Sequence, residues 1–278
     1  MAEITAEAVK RFRARTGLPL MACKQALQEA GGDEEVAIQK LRERGEKLAV
    51  KRGDRETAFG RFGISFGLDQ PAGAIVELKC ESAPVTQNEE FIQLANDLAR
   101  ALAASSGVET SEQLLELPSP SKEGMTLGEH KQDLFQRMGE VFNVGRFARL
   151  EGPTAGYSHN AATVAGVLVR VEGDDPAVAH DVCLHIAAMR PAVLSIEDLD
   201  PEVVEKERAI LTQAVVQEGK PEHIAQKIVE GRLRSGLFAE QVLLEQPFVK
   251  ESKQTVGKFL EANKMKVLEF IHWELGQK

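Results

Sequence analysis

Residues 12–27 read FRARTGLPLMACKQAL, and this stretch decides the fold of the N-terminal part of the chain. Gly17 permits the turn that ends a helix beginning after the capping side chain of Thr5. Pro19 lies where the first turn of a second helix tolerates proline. The stretch therefore predicts two short helices joined by an apolar loop at residues 17–21.

A third helix follows. We predict the second helix over residues 21–30, where two glycines end it, and Asp33 is a suitable N-cap for the third. The apolar face of the third helix consists of Val36, Ala37 and Leu41. Three helices within residues 5–45 bury only a small core, and units of this size usually recognise partners and rarely catalyse.

Composition and charge restrict the class of partner. The chain has 278 residues, a formal charge of -9 and 43% hydrophobic residues, enough for a core and more than one subdomain. Its acidic balance argues against direct nucleic-acid binding, because affinity for phosphates comes from Lys and Arg. The basic stretch 40–55 is the exception. A solvated helix face is its simpler explanation, and a docking surface for an acidic protein or RNA stays open.

Cysteine usage and hydropathy predict the compartment. Cys23, Cys80 and Cys183 are odd in number and far apart, and no apolar segment at the N-terminus would direct export. We therefore expect a reducing, cytoplasmic location. No run approaches the roughly 20 apolar residues that span a bilayer, so no membrane role is expected.

Two halves of the chain share a strand-then-helix order. Residues 58–67 and 73–80 read as strands, and Asn88 caps an amphipathic helix. Residues 166–171 repeat the strand, and Asp175 caps the next helix. The two strands are offset by 93 residues (73 to 166) and the two caps by 87 (88 to 175), so the first copy holds six extra residues between strand and helix. Inserted loops are common sites of function, although tolerated surface variation is more frequent.

The remaining elements complete an α+β fold with two antiparallel sheets, each carrying helices on one face. We predict a capping box at Thr110, a helix over 127–141, and strands over 144–150 and 265–275 that complete the sheet of the second half. Residues 200–235 predict a helical hairpin. The predicted domains are 1–56, 57–142, 143–199 with 236–278, and the hairpin 200–235 as an insertion.

The sequence holds few candidates for chemistry. No G-x-x-x-x-G-K-[ST] run is present, so we expect no phosphate-cradling loop and no nucleotide hydrolysis. His180 and His185 flank Cys183 but lack the i, i+4 spacing of a helical metal pair, and Cys80 has no adjacent base. We expect no catalytic residue, no metal and no cofactor.

Several motifs in one order resemble those of bacterial elongation factor Ts. They are residues 12–27 with 32–37, 219–221 with 224–225, 229–232, 246–249 and 255–257. The resemblance covers nearly the whole chain and implies an N-terminal helical unit of ubiquitin-associated type. It also implies a guanine nucleotide exchange factor for elongation factor Tu, which would act in translation elongation without covalent chemistry.

The resemblance also implies which residues contact the partner. They are Arg13, Leu20 and Met21 in the N-terminal unit, His159 in a loop before the strand of the second half, and His180 with Asp181 on the following helix. Burial of Leu20 and Met21 in their own small core is the alternative for that pair. For His159 the alternative is an ordinary structural histidine.

The inserted loop departs from the family pattern. The family carries a Thr-Asp-Phe-Val motif whose Asp and Phe reach towards the magnesium site of the GTPase. Here Glu81 is followed by Ser82, Ala83, Pro84 and Val85, without the acid and the phenyl ring. This difference leaves open an altered wedge or a partner that binds elongation factor Tu with weakened exchange. An unrelated enzyme that uses Cys80 or the His180 and His185 cluster is a further alternative. The hairpin could form part of the core, contact the partner or support a homodimer.

Overall fold

The computed structural model describes residues 4–52, 55–161, 163–218 and 221–277. Its order of helices and strands confirms the predicted α+β class: three N-terminal helices come first, and strands with helices follow. The chain divides into two compact units. The first comprises Met1–Gly63 and Val76–Phe147, and the second comprises Ile64–Ile75 and Ala148–Lys278.

The N-terminal helices form as the sequence predicts. They are α1 (Ala6–Thr16), α2 (Leu20–Glu29) and α3 (Glu34–Arg52). The hydroxyl of Thr5 accepts a hydrogen bond from the amide of Ala8 at 3.2 Å, and the carboxylate of Asp33 accepts from two amides in the first turn of α3. Gly17 ends α1 in the left-handed conformation, with φ of 69°, which glycine adopts without steric cost.

These three helices enclose one small core. Its buried members include Phe12, Cys23, Leu27, Ala37 and Leu41. The prediction that Val36 shares this face is wrong, because Val36 is 43% exposed. Adjacent positions on a helix are about 100° apart, so the pair Ala37 and Leu41, at i and i+4, turns inward without Val36.

The first sheet has the order β1-β2-β3. Its strands are β1 (Phe59–Ser65), β2 (Ala72–Cys80) and β3 (Phe142–Glu151). Between β2 and β3 come α4 (Glu89–Ala104), α5 (Ser111–Glu116) and α6 (Leu127–Met138). Asn88 caps α4 and Thr110 forms the predicted capping box of α5. The ends of these helices are therefore fixed by the local sequence.

The second sheet is antiparallel with the order β4-β5-β8. Its strands are β4 (Thr154–Asn160), β5 (Val164–Glu172) and β8 (Lys266–Glu274). Helix α7 (Pro176–Met189) begins at the Asp175 cap and shares a core with β5 that includes Val167, Val182 and Ile186. The short strands β6 (Pro247–Phe248) and β7 (Glu251–Thr255) pair with each other, and α11 (Val256–Ala262) follows.

One prediction about strand pairing is wrong. Residues 144–150 do not complete the second sheet, because β3 belongs to the first sheet. The third strand of the second sheet is β4, which pairs with β5 in register from Thr154 opposite Arg170 to Asn160 opposite Val164. The sequence TAGYSHN of β4 contains little of the β-branched residue content that marks a strand, so its pattern gave no signal.

The first strand-then-helix copy has the longer connection, as predicted, but the difference is five residues (eight against three) and not six. Residues 81–88 connect β2 to α4, whereas residues 173–175 connect β5 to α7. Most of the longer connection is a 3-10 helix, Ala83–Gln87. The first copy thus carries an extra structured loop where the second has a tight turn.

The predicted helices of the hairpin are both present, as α8 (Pro201–Gln217) and α9 (Glu222–Leu233). A π-helical turn at Arg234–Phe238 and the short α10 (Ala239–Gln241) follow. Val215, Val229 and Leu233 are buried together, and the guanidinium of Arg232 pairs with the Glu218 carboxylate at 2.8 Å. Exposed apolar residues remain on α8, including Ile210 and Val216. Dimerisation through the hairpin stays a prediction.

We predict that Gly63→Ala destabilises the protein. A Cβ atom at this position of β1 would lie 1.9 Å from the carbonyl oxygen of Ala95 on α4, and a backbone atom cannot move aside as a side chain can. We expect the free energy of unfolding to fall by about 3 kcal/mol in urea titrations. The matched control is Gly231→Ala in α9, where no atom lies within 4 Å. Alanine should there raise stability by about 1 kcal/mol. Equal effects of the two substitutions would contradict the prediction.

Candidate partner-binding surfaces

The predicted apolar loop at residues 17–21 is shorter in the structure, because its last two residues form the first turn of α2 and expose their apolar side chains. Leu20 is 44% exposed and Met21 is 71% exposed, whereas Leu18 is 8% exposed and belongs to the three-helix core. The alternative that Leu20 and Met21 are buried in their own core is therefore wrong. Arg13 is exposed on α1. An exposed apolar pair is typical of a contact surface for another protein.

Arg137 supports this loop from α6. A Cβ atom on Gly17 would lie 2.8 Å from Cδ of Arg137, so the turn and this side chain are in close contact. The Arg137 guanidinium donates to both carboxylate oxygens of Glu90 at 2.6 Å and pairs with Asp133 at 3.0 Å. These bonds hold the aliphatic part of Arg137 in the position on which the turn rests.

Two carboxylates fix the base of the loop at residues 81–88. The Glu81 carboxylate accepts from the amide of Val141 at 2.8 Å and pairs with Arg55 at 2.9 Å. In the opposite direction, the Glu140 carboxylate accepts from the amide of Ser82 at 3.1 Å and from the Ser82 hydroxyl at 2.5 Å. Glu81 and Ser82 are thus engaged inside the first unit, and Glu81 does not replace the missing acid of the family motif.

The tip of the same loop is preformed and exposed. Ala83 and Pro84 are exposed in the 3-10 helix and Val85 is half-buried. The Arg61 guanidinium donates to the carbonyl of Thr86 at 3.0 Å, and the Thr86 hydroxyl donates to the carbonyl of Ala83 at 2.7 Å. The loop therefore presents a small apolar tip on a hydrogen-bonded frame.

A third candidate surface lies on β4 and α7. His159 is in strand β4, opposite Ala165, so the prediction that it lies in a loop is wrong. The hydroxyl of Tyr157 is 2.9 Å from Nδ1 of His159, and the Tyr157 ring meets the His180 ring edge-on at 5.8 Å between centroids. The structure therefore brings both predicted histidines together around one tyrosine.

Asp181 pairs with a residue that sequence reasoning missed. Its carboxylate lies 2.6 Å from Nζ of Lys250, in the turn between β6 and β7. Val249, next to Lys250, is an exposed apolar residue. The separation of 69 positions between Asp181 and Lys250 hid this pair, because no local pattern connects them.

His185 is a structural residue in the interior of the second unit. It is fully buried, its Nδ1 accepts from the amide of Val249 at 3.1 Å, and its Nε2 lies 2.9 Å from Oε1 of Gln246. An accepting Nδ1 leaves the proton on Nε2, which donates to Gln246. The hydrogen-bonding capacity of this side chain is therefore satisfied inside the protein. Among the described residues, no group of three or more His, Cys, Asp or Glu side chains could hold a metal ion.

The cysteines are buried and free. Burial raises the pKa of the Cys80 thiol to about 12, with a further contribution from the nearby Glu140 carboxylate. Burial also raises the pKa of the Cys183 thiol. Because the thiolate is the nucleophile, this environment gives no support to an enzyme that uses Cys80. Across the described ranges, no helix is both long and apolar enough to cross a membrane.

A comparison with family models matches residues 81–277 to the family described as Elongation factor TS. The chain belongs to this family. Elongation factor Ts of Methylococcus capsulatus is 39% identical over 277 residues, covering 99% of this chain and 92% of the relative. Two further family members cover 100% of both chains: that of Thermobifida fusca at 38% identity over 282 residues and that of Mycobacterium ulcerans at 39% over 281. The predicted membership in the elongation factor Ts family is confirmed.

We predict that His185 makes this elongation factor Ts less stable in acid. Burial lowers the pKa of the His185 imidazole, although the bond to Gln246 opposes this shift. The unfolded chain, with a histidine pKa of about 6.5, therefore binds more protons than the folded protein. The free energy of unfolding should fall as the pH drops from about 7 towards 5, by at most about 1.4 kcal/mol per pH unit for this residue.

Urea midpoints at several pH values check this prediction. His185→Gln should flatten the dependence on pH, whatever its effect on absolute stability. His180→Gln, at an exposed position on the same helix, is the matched control for the substitution itself. Identical slopes for His185→Gln and wild type would contradict the assignment.

Proposed function

We propose that this chain is a guanine nucleotide exchange factor for elongation factor Tu, acting in cytoplasmic translation elongation without a cofactor. Family membership supplies the partner class. The observation that carries the proposal is the exposed pair Leu20 and Met21 in a member of this family. Neither side chain of this pair belongs to the core of the three helices.

The mechanism is thermodynamic linkage. A protein that binds the nucleotide-free form of a GTPase more tightly than the GDP form weakens GDP binding by the same factor. Such a protein needs differential affinity for the two states, and no bond is made or broken. Surfaces that hold their shape before binding lose less conformational entropy on association, so more of the contact energy is available for this linkage.

Three surfaces would supply the contacts. Arg13, Leu20 and Met21 form the first, with apolar side chains that a bound partner would shield from water. The loop at residues 81–88 forms the second, with Ser82, Ala83, Pro84 and Val85 at the positions of the family motif. His159, His180 and Asp181 form the third, where imidazole and carboxylate groups offer hydrogen bonds. Direct nucleic-acid binding plays no part in this proposal.

The small tip of the loop favours a second candidate function. Ala83 carries no carboxylate, and Pro84 reaches less far than a phenyl ring. Glu81 is held by Val141 and Arg55 and does not compensate. A partner that binds elongation factor Tu tightly but accelerates GDP release only weakly is therefore the alternative.

We predict that Leu20→Ala with Met21→Ala slows exchange. Loss of two exposed apolar side chains should weaken association with nucleotide-free elongation factor Tu by about tenfold. The unfolding midpoint should not change, since neither side chain lies in the core. Release of a fluorescent GDP analogue and calorimetric titration measure the two effects, and Val36→Ala, also exposed and apolar, is the matched control.

The same assay separates the two candidate functions. Stimulation of GDP release by the unaltered chain supports exchange. Tight association without stimulation supports the binding-only alternative. No association with nucleotide-free elongation factor Tu would refute both.

We further predict that Ala83→Asp with Pro84→Phe accelerates GDP release. Both side chains point from the exposed tip, so the carboxylate and ring should restore groups that the family motif carries. Ala83→Asn with Pro84→Leu is the matched control, because it adds similar bulk without the charge or the aromatic ring. If both pairs accelerate release equally, bulk alone acts. No change, or slower release, with Asp and Phe would show that this loop works through other contacts.

A further inference from the structure

Tyr157 is the chain's single tyrosine, and it lies at the centre of the third surface. It is half-buried in β4, opposite Val167, and its ring packs against the core of the second sheet. Its hydroxyl lies 2.9 Å from Nδ1 of His159. The same ring contacts His180 on α7 edge-on, with an interplanar angle of 78°.

We propose that Tyr157 is a positioning residue that fixes His159 in one rotamer and one tautomer and holds His180 beside it. This inference rests on the proposed function, because the two histidines are candidate contacts for elongation factor Tu. The chemical group that they would meet is an oxygen acceptor on the partner, either a backbone carbonyl or a carboxylate.

The hydrogen bond determines which nitrogen of His159 carries the proton. In the proposed arrangement the phenol donates its proton to the lone pair of a neutral imidazole, with Nδ1 as the acceptor. The proton of the neutral ring then resides on Nε2, which becomes a donor. Without the Tyr157 hydroxyl, both tautomers become accessible, and a partner acceptor must select one of them at a cost in binding free energy.

Strand and helix geometry explain why one ring can orient both histidines. Residues 157 and 159 are two positions apart in β4, so their side chains leave the same face of the strand. Helix α7 packs on this strand and brings His180 to the ring edge. The positive edge of one aromatic ring against the face of another gives a preferred angle, so the contact restricts orientation as well as distance.

Tyr157→Phe tests the inference with little change in packing. It keeps the ring that contacts His180 and the core, and it removes only the hydroxyl. We expect the affinity of the full chain for nucleotide-free elongation factor Tu to fall by about fivefold to tenfold, the usual worth of one hydrogen bond. Ser111→Ala removes a hydroxyl outside the three candidate surfaces, and it should leave affinity unchanged.

A second readout distinguishes positioning from simple structural support. Nitrogen-15 NMR of the free protein should show His159 as the Nε2-protonated tautomer in wild type and as a tautomer mixture in Tyr157→Phe. In binding, Tyr157→Phe should have no effect in a His159→Ala background, because the hydroxyl acts through that imidazole.

The outcomes separate this inference from the proposed function. Failure of wild type to bind elongation factor Tu overturns both. Normal binding by wild type together with wild-type affinity of Tyr157→Phe overturns the positioning role alone. An unchanged tautomer, or additive losses in the double variant, overturns it as well.

Discussion

The loop at residues 81–88 depends on two carboxylates that bond in opposite directions across its base. Glu81 reaches the amide of Val141, and Glu140 reaches the amide and hydroxyl of Ser82. The segment that follows β2 and the segment that precedes β3 therefore hold each other. As a result, the chain leaves β2 in a fixed direction. A connection of this length without such bonds would sample many conformations and would lose that entropy on binding. With them, the exposed tip at Ala83 and Pro84 is ordered before a partner arrives.

The turn at Gly17 is also supported by a side chain from elsewhere in the first unit. Arg137 contacts the Gly17 turn with its aliphatic carbons and binds Glu90 with its guanidinium. Glu90 lies in the first turn of α4, directly after the Asn88 cap that ends the loop at residues 81–88. Within the first unit, one ion pair thus connects the supports of two candidate contact surfaces. Polar contacts beneath the surface thus help to fix the position of exposed apolar groups such as Met21.

Local chemistry explains which features could be predicted from sequence. Caps such as Asp33 and Asn88 and the apolar strand β5 were predictable, because their signals lie within a few residues. The membership of β3 in the first sheet and the existence of β4 were not, because pairing partners are chosen by packing over long separations. For the site, exposure of Leu20 and Met21 follows from the turn between two short helices. The pairing of Asp181 with Lys250 and the geometry around Tyr157 needed the tertiary structure.

Burial of all three cysteine sulfurs makes this chain convenient for site-directed labelling. Cys23, Cys80 and Cys183 are buried in the folded state, so a maleimide reagent reaches none of them quickly. A cysteine introduced at exposed Ala83 would react first, without replacement of any native thiol. A fluorophore attached there would report directly on the surroundings of the loop tip as a GTPase approaches.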